Sequence, residues 1–213
     1  MPENQSLQTP AKEAEFISVP PQSAFHIPYP MRPEYVDSFE RSTIAPWTTS
    51  GYSWGIRDTT NTYGPATSVG GGYRYAGVPD TDVPLYTGNQ TGYLITPVYD
   101  LTGWSAFYIS CDYWSSFEGP ATNFDGGIVE ISNDAGMTWV QIDSLAEGHL
   151  NPTYDAQLAG SGSLGTAWAY CYSTDPDWIN VSSQDLMALG YCSPGDQVQV
   201  RFTFASDPLS NGQ

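Results

Sequence analysis

Two β-rich runs joined by four turn-forming residues fix the local shape of residues 123–143, NFDGGIVEISNDAGMTWVQID. The runs are Ile128 to Ser132 and Met137 to Ile142, with Asn133-Asp134-Ala135-Gly136 between them. Asn and Asp tolerate left-handed dihedrals and Gly adopts them at almost no steric cost, so the stretch is predicted to be a hairpin. Side chains alternate across a strand, which sets Ile128, Glu130 and Ser132 on one face and Val129 and Ile131 on the other. One face is apolar and the other mixed, the pattern expected of a sheet packed on one side only. The run QVQVRFTF has the same period. Its Val198, Val200, Phe202 and Phe204 share one face, and Gln197, Gln199, Arg201 and Thr203 the other. Helical apolar periodicity does not extend beyond about two turns anywhere in the chain, so an all-β fold is predicted.

Ser132, Asp134, Gly136, Thr138 and Trp139 form the pattern Ser-x-Asp-x-Gly-x-Thr-Trp across the turn. It resembles the Asp-box of sialidases and related β-propellers. There the Asp accepts hydrogen bonds from turn N–H groups, Gly supplies the unusual dihedral, and the Trp packs beneath the hairpin. The resemblance implies a structural turn, since a propeller repeats the motif in each blade and this chain has a single copy.

Charge narrows the function classes. Twenty-three acidic residues face six basic ones, a formal net charge of −17. Phosphate recognition needs a basic face, so nucleic acid is excluded as a partner, and an anionic membrane surface is disfavoured. Excess carboxylates suit solubility or hard cations such as calcium. No apolar run approaches membrane-spanning length, and membrane insertion is not expected. The opening, MPENQSLQTPAKEAEF, lacks the basic and apolar regions of a signal peptide, which suits the start of an interior fragment. Cys111, Cys171 and Cys192 permit at most one internal disulfide. Cys171–Cys192 is the favoured pairing of the three, leaving Cys111 as a buried inert thiol. Asn89 and Asn180 begin glycosylation sequons, which arise often by chance.

Residues 1–35 hold seven prolines and no sustained periodicity, so an extended Pro-rich arm or linker is expected there. Residues 36–213 read as one domain. GYLITPVYDL, SAFYISCDYWSSFE and TAWAYCY are read as strands, and WINVSSQDLMAL as a segment holding a short helical turn.

The order of these pieces resembles the secreted jelly-roll domains of the MAM type and their bacterial relatives attached to immune-inhibitor-A-like metallopeptidases. The residues that carry the resemblance begin with Asp37-Ser38-Phe39-Glu40, Trp47 and Trp54. Leu94-Ile95-Thr96-Pro97, Asp100-Leu101 and the aromatic run from Tyr108 to Trp114 follow. The run from Asp125 to Ser132 and that from Val198 to Phe204 complete the set. The resemblance implies a jelly-roll-type β-sandwich of two antiparallel sheets. The Gly-Trp-x-Ile-Asp-Asp-like strand that usually ends such domains is missing, so an open strand edge is expected to meet a neighbour. The resemblance also implies a structural calcium ion, with Asp37, Glu40 and Asp125 as ligands.

Catalysis finds little support in the residues. Zinc peptidase chemistry needs two His at helical spacing, whereas His26 and His149 stand far apart. No Gly-x-Ser-x-Gly elbow is present, and Gly160-x-Gly162-x-x-Gly165 follows no clear strand. Asp112, Glu118 and Asp125 are carboxylates of the type a glycosidase pairs, but nothing sets two of them opposite one another. Trp47, Tyr52, Trp54, Tyr73 and Tyr75 lie in Gly-rich surroundings where rings could stack on a glycan. The expectation is therefore an extracellular, non-catalytic recognition or adhesion module of a larger secreted or surface protein. Its partners would be a protein or glycan at the cell surface, or a second copy engaged through the arm or strand edge. An accessory domain of a secreted metallopeptidase and a structural subunit of a surface assembly are the alternatives.

Overall fold

A computed structural model of the chain describes residues 35–79, 86–117, 123–160 and 162–208. The Pro-rich stretch and His26 lie outside these residues, as do Glu118 and the final 209–213. Among the described residues the fold is all-β, with one short 3-10 turn at Val69–Gly71 and no α-helix.

Thirteen strands follow in chain order among the described residues. The first five are β1 (Thr48–Gly51), β2 (Gly55–Asp58), β3 (Arg74–Gly77), β4 (Thr91–Ile95) and β5 (Tyr99–Asp100). Next come β6 (Ser110–Tyr113), β7 (Gly126–Ser132), β8 (Val140–Gln141) and β9 (Leu150–Asn151). The last four are β10 (Ala156–Gln157), β11 (Trp168–Ala169), β12 (Ile179–Ser183) and β13 (Gln197–Ala205). The main sheet has the order β1-β4-β13-β7-β8, with β5 also on β13, and all its pairings are antiparallel. A second antiparallel sheet has the order β6-β12-β9, and β2–β3 and β10–β11 form two-stranded ribbons. This arrangement of antiparallel sheets is consistent with a β-sandwich.

β13 is the longest strand and the hub. Its alternation works as read from the sequence, with Val198, Val200 and Phe204 buried. Val198 and Val200 join one apolar cluster with Ile128 and Ile131 of β7, Leu150 of β9 and Val181 of β12, so the core spans both larger sheets. Fully burying an aliphatic side chain of this size contributes about 1.5–3 kcal/mol. The partly buried Phe202 lies under the Trp47 ring, at a centroid separation of 6.1 Å, and Phe204 meets Tyr52, Tyr86 and Phe117.

The expectation of a sheet packed on one side only is corrected at β7. Six of its seven residues are buried, including Glu130 and Ser132 on the mixed face. The physical reason lies across the sheet. Arg201, directly opposite Glu130, donates from Nε to Oε2 at 2.6 Å and from Nη2 to Oε1 at 2.8 Å, a bidentate pair. The Thr203 hydroxyl donates to the same carboxylate. The guanidinium is held between the rings of Trp139 and Tyr93, at 4.4 and 4.6 Å from their centroids. The polar face is thus closed by its own neutralised charges and two aromatic plates.

The first half of WINVSSQDLMAL is strand, β12, which pairs with both β6 and β9, and a turn over 186–190 with the Leu189 N–H on the Asp185 carbonyl follows in its second half. One further expectation is corrected. The Cys171–Cys192 disulfide is not formed, and all three cysteines are free. Cys171 instead points its thiol at Asp155 Oδ1, 3.3 Å away, and at the carbonyls of Ala169 and Ala156.

Candidate functional site

The β7–β8 turn is wired by its side chains. Ser132 Oγ accepts the Gly136 N–H at 2.8 Å and donates to Asp134 Oδ1 at 2.7 Å. Asp134 accepts the Thr138 N–H at 2.8 Å and the Thr138 hydroxyl at 2.6 Å. These bonds to its charged form lower the Asp134 carboxyl from 3.8 to about 2. Ala135 and Gly136 take the left-handed dihedrals, with φ of 56° and 88°, and Trp139 Nε1 closes the turn on the Gly136 carbonyl. Trp139 packs on Arg201 rather than only under its own hairpin. The Ala135 N–H also donates to the Gln197 carbonyl, tying the turn to the start of β13.

Beside this turn lies a shallow cavity of about 150 Å³ lined by Ile131, Asn133, Thr138, Val140, Gly190 and Tyr191. Three apolar side chains in the same stretch of chain stand in solvent: Met137 is 80% exposed, Val140 57% and Leu145 68%. Val140 sits in β8, the short edge strand of the main sheet.

A second wired loop, residues 143–153, is joined to the cavity through Tyr191. Asp143, fully buried, accepts the N–H groups of Glu147 and Gly148 on Oδ1, and the Leu150 N–H and Thr153 hydroxyl on Oδ2. Its own N–H donates to the Tyr191 hydroxyl at 2.9 Å. His149 Nδ1 lies 3.0 Å from that hydroxyl, and its Nε2 lies 3.9 Å from the Glu147 carboxylate. Tyr191 therefore joins the cavity wall to the loop 143–153. Sequence reasoning missed Asp143 and Tyr191. The available signal was an Asp at a strand end followed by Gly148, the chemistry of a side-chain-capped loop.

The remaining candidates are dispersed. Asp37 accepts the Phe39 N–H and the Trp47 indole N–H and pairs with Arg41, while Glu40 accepts the N–H groups of Tyr73 and Arg74. Asp125 is buried, accepting the Tyr86 hydroxyl and the Asp207 N–H. Each of the three serves a different piece of chain, and among the described residues no three His, Cys, Asp or Glu side chains group to hold an ion. Asp37, Glu40 and Asp125 do not fit a shared calcium cage.

The aromatic candidates also part company. Trp47 and Tyr52 pack on Phe202 and Phe204 of β13, and Tyr75 is buried edge-on against Trp178. Trp54 is half-buried, its indole Nε1 reaching no acceptor among the described residues. Tyr73, 72% exposed, projects into solvent. A scan against protein-family models gives no match to this chain, and a search of curated proteins gives none either.

Proposed function

We propose that the chain is a non-catalytic recognition or adhesion module of jelly-roll type, acting outside the cell as part of a larger secreted or surface protein. The observation that carries this reading is the cavity beside the β7–β8 turn, with Val140 exposed in its lining and Met137 and Leu145 exposed in the neighbouring chain. Exposed apolar groups of this size cost solubility unless a partner covers them, and recognition sites are where they concentrate. One wall of the site is the turn wired by Asp134, and Tyr191 in the lining is bonded to the loop that Asp143 orders. Such pre-ordering lowers the entropic cost of binding.

The buried thiols are compatible with an oxidising exterior. Burial raises Cys111 and Cys192 to about 12, which leaves little reactive thiolate at neutral pH. The test is to display the purified protein to arrays of glycans and of cell-surface proteins, and in parallel to assay it against peptide and glycoside substrates. Saturable binding without turnover is expected. Turnover that survives repurification would overturn the reading.

A further inference from the structure

We infer that the partner covering this site is a basic polypeptide segment that places an apolar side chain in the cavity. The inference rests on the recognition reading above and adds the chemistry of the partner. Two observations carry it. The first is the apolar centre: Val140 and Ile131 line the cavity, and Met137 and Leu145 flank it in the chain. The second is the sign of the surrounding field. With a net charge of −17, the few cations set how negative the exterior is, and the described ones are largely consumed internally. Arg41 is paired with Asp37, Arg201 is paired with Glu130 between two rings, and Arg57 is 7% exposed.

At the site itself Glu147 stands exposed beside His149, whose other ring nitrogen contacts the Tyr191 of the cavity wall. A second copy of the chain would bring the same negative charge to the interface and be repelled. A neutral apolar partner would gain nothing from the field, whereas a basic one is steered by it. Lysine and arginine stems can lie along Val140 while their charged ends reach toward the Glu147 carboxylate.

The test uses short synthetic peptides with the full chain, followed by calorimetric titration. The first alternates arginine with leucine, the second replaces arginine by glutamine, and the third replaces leucine by serine. The arginine–leucine peptide is expected to bind, and to weaken about ten-fold between about 25 and about 150 mM salt as screening shortens the field. Val140→Ser combined with Leu145→Ser is expected to weaken it by a further factor of about ten. An unchanged unfolding midpoint of that variant keeps the comparison clean, since both side chains are exposed.

Equal binding by the leucine-free peptide would overturn the inference, because an acidic surface alone would then suffice. Equal binding by the glutamine peptide would overturn it from the other side. Sedimentation showing a dimer that the double variant abolishes would assign the site to a second copy and sink the proposal. Should none of the peptides bind while a glycan or cell-surface protein does, the partner chemistry falls and the recognition reading stands.

Discussion

Glu130 sits in the middle of a sheet, where an unpaired carboxylate would be costly to desolvate. Its two oxygens take three donors from β13, and the Arg201 guanidinium that supplies two of them is itself covered by Trp139 and Tyr93. Removing one member of such a pair leaves the other buried and uncompensated, at about 3 kcal/mol or more. Arg201→Met should therefore lower unfolding stability by about that amount in urea titrations. The double change Glu130→Gln, Arg201→Met should regain most of the loss, because it leaves no bare charge. Additive losses would show that the pair matters less than the ring stack. Little of this was legible beforehand. Alternation placed Glu130 and Arg201 each on the polar face of a strand, but 71 residues separate them and only the register brings them opposite.

At the scale of elements, the β7–β8 hairpin was the part most open to reading, because its turn chemistry is local. Asn133 to Gly136, Ser132 and Thr138 lie within reach of one another in any hairpin of that length. The strands flanking it were overestimated. Met137 to Trp139 belong to the turn, and β8 is only Val140–Gln141, since the Met137 N–H is spent on the Asp134 carbonyl and the Thr138 N–H on the Asp134 carboxylate. In WINVSSQDLMAL the local turn was legible but the strand before it was not, because β12 gains its strand character from β6 and β9, both distant in sequence.

The Asp134 bonds predict a pH dependence. The folded protein holds this carboxyl at about 2, below its ordinary 3.8, so folding favours the charged form. The stabilisation is complete above the unfolded value and disappears as pH falls from about 4 through about 2. Asp134→Asn should melt lower than the parent at neutral pH, and the gap should close across that acid window. A gap constant down to pH of about 2 would place the effect elsewhere than the carboxylate.

For the molecule as a whole, composition and alternation sufficed for the fold class, while the pairing of distant parts did not follow from them. The cysteines illustrate the difference. Counting allowed one bridge, but Cys171 is occupied by Asp155 and two carbonyls, and burial pushes its thiol above the ordinary range. With all three thiols free and raised by burial, a disulfide-exchange reagent should react slowly with the native protein. After unfolding without reductant it should titrate all three cysteines; a titre of one would restore the bridge.

β13 bonds to β4, β5 and β7, and its first residue also holds the turn after β7, yet every one of those partners precedes it in the chain. During synthesis on the ribosome, the pairs β1–β4 and β7–β8 emerge first, each with the edge that takes β13 still unpaired. Ordering of the main sheet must wait for residues 197–205 to clear the exit tunnel. Until then, half-made sheet edges are open to chaperones and to misjoining with other nascent chains.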